Sequence, residues 1–363
     1  MSVQYKRILV ICTRRIGDVL LATPVVRALK QANPDAEIDM LVFEGTQAVL
    51  RANGDLRDII TIGERPSFGE HLRLITRIRR RYDLAVSLLA GDRPTLYAWV
   101  AGKTRVGTLD ADKKSRWKRR LLDRWLPFDN LNTHTVAMNL RVVGQLGISQ
   151  RAAPVVSWGS RDEEAALAAY PALDSGRRFA VLHVSPKYVY KTWSGEGWGK
   201  LAEWIAAQGV EVVVAGGGAQ DELRYIDSLL GLLPDKTVNL AGKIGLGALA
   251  YLLSRAALYV GTDTAVTHMA AALGVPTVAL FGPSNPVKWG PWPRDYAGDN
   301  CPWQMRGSGQ VGNVYLVQGE KACVPCLQEG CERHLDSLSD CLQQLPAIRV
   351  IRAAEVLLQT QKQ

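Results

Sequence analysis

No apolar run in the 363 residues is long enough to cross a bilayer as a helix. The apolar stretch near the N-terminus, Ile8–Cys12, is cut by Thr13-Arg14-Arg15, too early for a secretory core. A cytoplasmic chain is expected. The first strand-like segment is not followed by G-x-G-x-x-G, which disfavours a nicotinamide dinucleotide site. No nucleic-acid-binding module is recognisable either, so no nucleic acid partner is expected. A cytosolic setting argues against a disulfide framework for the six cysteines.

What is present is a basic, globular chain. The formal net charge is +9, which favours anionic partners such as an acidic membrane surface or a phosphorylated substrate. The length suits two domains, each able to bury a core. Short β-rich apolar runs alternate with helical spacings. Arg7–Cys12, Ile38–Phe43, Ile59–Ile62, Leu84–Leu88 and Thr104–Gly107 read as strands, with helices over Val19–Gln31, Glu70–Arg81 and Pro94–Val100 between them. After a linker at Arg151–Ser160 the alternation restarts with Phe179–Val184, Val210–Ala215 and Thr237–Leu240. The expected class is α/β, two doubly wound domains with ligands at the C-terminal strand ends. The boundaries predicted are 1–160 and 161–345, with an amphipathic C-terminal helix at about 346–363 closing back over the first domain.

Val260–Pro283 reads as strand, turn, Ala-rich helix, turn, strand. A helix start offers unpaired N–H groups and partial positive charge to an anion, and Asp263 in the same turn can accept bonds from sugar hydroxyls. His268 lies one helical turn beyond Thr264, where it is either a packed core histidine or a phosphate contact. The loop after Phe179–Val184 carries Ser185, Lys187, Lys191 and Thr192 beside Trp193. It reads either as a solvated loop anchored by the tryptophan or as a phosphate-binding loop. The run Gly216–Gly218 permits close backbone approach to a nucleotide. Asp18 follows Gly17 at the end of the first strand; it is an N-cap or a general base.

Lys113–Trp125 interleaves Lys and Arg with Trp117 and Trp125. As a helix it presents basic and aromatic faces, either simply solvated or resting on an anionic membrane or phosphorylated acceptor. Cys323, Cys326, Cys331 and Cys341 are spaced to hold a structural zinc or, alternatively, an iron–sulfur cluster, or to pack as thiols.

Taken together, these segments resemble glycosyltransferase family 9, the bacterial heptosyltransferases. Ile8–Val42 is similar to that family's N-terminal signature. Val260–Pro283, with its Asp-Thr turn, helical His and Phe-Gly-Pro, is similar to its C-terminal one, and Lys191-Thr192-Trp193 falls where the family has a Lys-Trp segment. The resemblance implies a GT-B fold, two Rossmann-like domains facing across a cleft. It implies inverting transfer of heptose from ADP-heptose to the lipopolysaccharide inner core, with no catalytic metal. Asp18 matches the base, Lys191 and Ser185 phosphate ligands, Asp263 a donor-sugar contact, Thr264 and Ala265 the phosphate turn, and His268 the motif histidine. Ala265 stands where many members have Gly. Arg14 and Arg15, with Lys118, Arg119 and Arg120, are expected to face a lipid-linked acceptor at the cytoplasmic side of the inner membrane. Alternatives are the same fold using another nucleotide sugar, or a non-catalytic nucleotide-sugar or lipopolysaccharide-binding protein, which the intact Asp18 and Lys191 argue against. An epimerase would need further acidic groups around the anomeric carbon, and the sequence reveals no such set.

Overall fold

The computed structural model describes residues 4–149, 151–298 and 301–360. The chain divides into two compact units, one running to Ser157 and the other from Trp158 to the C-terminus, with Ala297 and Cys301 grouped with the first. The break falls inside the Arg151–Ser160 linker.

In the first unit six strands form a sheet: β1 (Arg7–Cys12), β2 (Glu37–Phe43), β3 (Asp58–Ile62), β4 (Tyr82–Ser87), β5 (Gly102–Leu109) and β6 (Arg124–Pro127). Their order is β3-β2-β1-β4-β5-β6, and every pairing is parallel. β1 has five of six residues buried, as a strand covered on both faces must. Helices Phe68–Ile78 and Asp92–Ala101 cover one face, packing Leu74, Ile78, Tyr97, Ala98 and Ala101 onto Leu9, Ile11 and Ile60. A capping box between Ser67 and Glu70 starts the first of these helices.

The second unit repeats this order. Its strands are β7 (Phe179–His183), β8 (Glu211–Val214), β9 (Val238–Asn239), β10 (Leu258–Thr262), β11 (Thr277–Phe281), β12 (Gly309–Val311) and β13 (Val314–Gln318). The order is β12-β13-β11-β10-β7-β8-β9, with β12 alone antiparallel. The β12–β13 hairpin at the edge has no counterpart in the sequence reading. Both sheets reverse direction beside their first strand, between β1 and β4 and between β7 and β10. Those switch points are where open α/β sheets leave a crevice at the strand C-termini.

Two expectations are corrected here. The C-terminal helix Ala347–Thr360 belongs to the second unit, where Val350, Ala353, Ala354, Leu357 and Leu358 join the core with Leu182, Val260 and Trp198. Leu342 and Leu345, just upstream, are already in that core, so the helix continues the layer it starts from. Lys113–Trp125 is not one helix. Lys113–Ser115 is a 3₁₀ turn and Arg116–Arg119 a single α turn, after which Arg124–Pro127 forms β6 on the sheet edge. Among the described residues no helix is long and apolar enough to cross a membrane.

Candidate active site

In the second unit the site residues gather around the β7–β10 switch point. β10 delivers Asp263 one residue past its end, and β7 is followed by the loop that carries Lys191. That loop is pinned rather than free. Trp193 is fully buried edge-on against Trp198, with ring centroids 4.9 Å apart, and its indole N–H donates to the Leu345 carbonyl at 2.9 Å. The Gln343 amide donates to the Thr192 carbonyl at 2.8 Å. Burying one such indole contributes roughly 1.5–3 kcal/mol. The anchor therefore fixes Lys191, two residues away.

Lys191 Nζ sits 2.5 Å from Asp263 Oδ2 and also points at the Asp263 carbonyl. His268 Nε2 lies 4.0 Å from the other carboxylate oxygen, Oδ1. Burial raises the Asp263 carboxyl, but the charge of Lys191 and hydrogen bonds from Lys191 and the Ser284 hydroxyl outweigh it and hold it below the usual carboxylate range. Burial pushes the His268 imidazole down to about 4, so at neutral pH it is uncharged and Lys191 carries the positive charge of the cluster.

Helix Ala265–Leu273 begins next to this pair, and no side chain caps its start. Ala265 is its first residue and has no positive φ, so the missing glycine costs the turn nothing. The Thr264 hydroxyl lies 3.3 Å from that of Thr267, which bonds the Tyr259 phenol at 2.9 Å and donates to the Thr262 carbonyl. The phenol lies over Gly261, where an added Cβ would fall 2.2 Å from the phenol oxygen. Gly261→Ala is therefore expected to displace the phenol. It should lower stability by about 1–3 kcal/mol. Adding Tyr259→Phe should recover part of that loss, as read by thermal unfolding; purely additive effects would mean that the phenol is not what the added methyl displaces.

Three residues here escaped the sequence reading as individuals. Ser284 follows the Phe-Gly-Pro turn and bonds Asp263. Tyr259 looks like any β-strand aromatic until its phenol is traced to Thr267. His183 ends β7 opposite Gly261, fully desolvated and pushed down to about 4 by burial. His183 Nδ1, His268 Nδ1 and Thr262 Oγ1 are buried without a hydrogen-bond partner among the described residues. Ser185 is buried just beyond β7, while Lys187 is exposed. The Gly216–Gly218 run packs under its own helix: Gly217 N–H donates to Glu222 Oε1 at 2.8 Å, and a Cβ on Gly216 would strike Ile226.

Asp18 belongs to the first unit, in the short helix Ile16–Leu20 beside the β1–β4 switch point. It is not the N-cap; Arg15 holds that position, and Asp18 is the third helical residue, half-buried. Burial and the Asp18 charge together push the Cys12 thiol up, which places the carboxylate near the end of β1. Arg14, Arg15 and Arg120 are exposed, and Arg119 lies over the Trp125 ring at 4.6 Å. Lys118 does not face solvent as expected. It is buried, pairing with Asp92 at 3.0 Å and donating to the Ala90 carbonyl at 2.9 Å.

The four clustered cysteines are free thiols. Burial, with Cys326, Cys323 and Cys331 nearby, raises Cys341 to about 12. Among the described residues no group of three or more His, Cys, Asp or Glu side chains is arranged to hold a metal ion.

Comparison with known proteins agrees with this layout. Residues 71–299, more than half the chain, match the sequence profile of glycosyltransferase family 9 (heptosyltransferase). Lipopolysaccharide heptosyltransferase 3 of Escherichia coli is 27% identical over 320 residues, covering 83% of this chain and 92% of that protein. The glycosyl transferase family 9 structure from Veillonella parvula superposes with a TM-score of 0.79 at 21% identity, covering 99% of both chains. The E. coli ADP-heptose lps heptosyltransferase II structure gives 0.76 at 20% identity, covering 98% of this chain and all of the other. Two parallel-sheet units of this kind make up the GT-B fold, and the chain belongs to glycosyltransferase family 9, the heptosyltransferase family.

Proposed function

We propose that this glycosyltransferase moves a heptose from ADP-heptose to the inner core of lipopolysaccharide with inversion at the anomeric carbon, working at the cytoplasmic face of the inner membrane. The observation that carries the reading is the Lys191–Asp263 pair beside the uncapped start of helix Ala265–Leu273. A cation and a row of backbone N–H groups suit a diphosphate, and a buried carboxylate held ionised suits sugar hydroxyls. The unpartnered polar atoms of His183, His268 and Thr262 suit a polar ligand at the same strand ends.

In this reading Asp18 accepts the proton of the acceptor hydroxyl as that oxygen bonds to the anomeric carbon. The bond from that carbon to the β-phosphate oxygen breaks on the opposite side, so configuration inverts and ADP departs. The charge growing on ADP is met by Lys191 and the helix start, with Ser185 and Thr264 as hydroxyl donors. Lys191 would then exchange part of its bond to Asp263 for the phosphates, leaving the carboxylate to the sugar.

Purified protein with ADP-heptose and defined inner-core acceptors is expected to yield a product heavier by one heptose, linked with inverted configuration by NMR. Transfer only from a different nucleotide sugar would move the reading to that donor. Tight ADP binding with no transfer to any acceptor would make it a binding protein.

A further inference from the structure

The turn that closes the cysteine-rich segment reaches both loops that hold Asp263. Asp340–Gln343 is a single helical turn, with Cys341 and Leu342 buried. Two glycines make room for it. A Cβ at Gly282 would fall 2.6 Å from Leu342 Cγ, and one at Gly319 would fall 2.3 Å from the Cys341 carbonyl oxygen. A side chain at either position would push the turn away. Gly282 stands two residues before Ser284, which bonds Asp263. Through Gln343 the same turn grips Thr192, the residue after Lys191.

Gln343 makes two bonds to a residue 151 positions away in the chain. Its side-chain amide donates to the Thr192 carbonyl at 2.8 Å and to the Thr192 hydroxyl at 3.3 Å. That hydroxyl gives its own proton to the Val189 carbonyl at 2.7 Å, so toward Gln343 it can only accept. Both bonds therefore require N–H donors on residue 343. The chain from Gln343 through Thr192 to Val189 spans the 3₁₀ turn Val189–Lys191 from end to end. Upstream the loop is less covered: Lys187 and Val189 are exposed, and Tyr188 and Tyr190 are half-buried. Burial of Trp193 holds the loop down without a preferred direction, whereas hydrogen bonds are directional. Lysine has a long, flexible stem, so a small rotation at its root moves the ammonium far.

We propose that Gln343 is a positioning residue for donor binding, acting through Thr192 on Lys191. The proposal rests on the reading of Lys191 as the cation of the diphosphate site. Gln343 fixes the root of the lysine, so that Nζ can pass from Asp263 to the phosphates without the loop shifting. The closing turn of the cysteine-rich segment thus belongs to the donor site without touching the donor.

The test is ADP titration of the full chain in a double-mutant cycle. Gln343→Met keeps the length of the side chain and removes both donors. It is expected to weaken ADP binding about fivefold. In a Lys191→Ala background the same substitution should change ADP affinity by less than about twofold, because the group it positions is gone. Loss by the same factor in both backgrounds would mean general damage to the loop and would overturn the proposal. A second measurement needs no nucleotide. Acetic anhydride should label Lys191 slowly in the unmodified protein, where Asp263 holds the amine, and at least about threefold faster in Gln343→Met, read by mass spectrometry. Exposed Lys187 serves as the internal reference and should not change. Equal labelling of Lys191 in the two proteins would also overturn the proposal. No ADP binding by the unmodified protein would remove the donor reading and this proposal with it. ADP binding that Lys191→Ala weakens and Gln343→Met leaves unchanged would overturn the positioning role alone.

Discussion

Asp18→Asn is expected to abolish most transfer while leaving ADP binding intact. Asparagine keeps the size and the hydrogen-bonding oxygen of the side chain but cannot take up a proton. A general base of this kind contributes typically 10²- to 10⁴-fold, so a fall in turnover of about a thousandfold is expected. The short helix should survive, because Asp18 is neither its cap nor part of its buried face, which is Val19 and Leu20. ADP affinity should not move, since the residues assigned to the diphosphate all belong to the second unit. The measurement is single-turnover transfer beside ADP titration of the same preparation. Turnover within a few fold of the unmodified enzyme would take the base role away from Asp18. Joint loss of turnover and ADP affinity would point to damage beyond the proton transfer.

Lys191→Ala is expected to do two separable things. It removes the cation proposed to hold the donor phosphates, so ADP should bind at least about tenfold more weakly, a change of roughly 1.4 kcal/mol. It also strands Asp263, whose side chain is 8% exposed, without its cation. Breaking a buried pair from one side costs on the order of 3–5 kcal/mol, less here to the extent that Lys191 itself is 18% exposed. The pH dependence gives the signature. In the unmodified protein the Asp263 carboxyl is held below its unfolded value, so its contribution is complete above about pH 4 and is lost as pH falls through the folded value. Without Lys191, burial dominates and the folded value rises above the unfolded one. The charged carboxylate then costs stability at neutral pH, and that cost is relieved by protonation on acidification. His268 adds to the same trend, because Lys191 pushes it down and Asp263 pushes it up. The stability gap between the two proteins should therefore be larger at pH 7 than at pH 5, measured by urea unfolding. A gap independent of pH would mean that Asp263 does not depend on Lys191 for its charge.

The strands and the repeated plan were legible because buried parallel strands are short, apolar and β-branched wherever they occur. The turn after β10 was legible for a similar reason: strand, Thr262-Asp263-Thr264 and an Ala-rich helix allow few local structures. The position of Lys191 was less so. Its sequence neighbours suggested a loop, and only the burial of Trp193 against Trp198 aims the lysine at Asp263. Lys118 was misplaced because a lysine in a basic run looks like its exposed neighbours. Its burial depends on an acid and a carbonyl from residues 90–92, far away in the chain. The C-terminal helix was placed on the wrong unit because an apolar stripe at helical spacing demands a partner without specifying which sheet supplies it. Ser284 and Tyr259 were missed since each acts through one hydroxyl, and a single hydroxyl leaves no pattern along the chain.

By itself the sequence determined the class of fold and the residue types at the strand ends, since these follow from local periodicity and from groups a few residues apart; the two switch points came only with the strand order. The tertiary structure alone decided which of those groups touch. It put Lys191 and His268 on opposite oxygens of Asp263, turned Thr264 toward Thr267, and drew Lys118 inward onto Asp92 and the Ala90 carbonyl. The physical reason is range. Backbone preference and hydrophobic period act over a few residues, whereas charge pairing and burial are settled between segments that meet only when the sheets have formed.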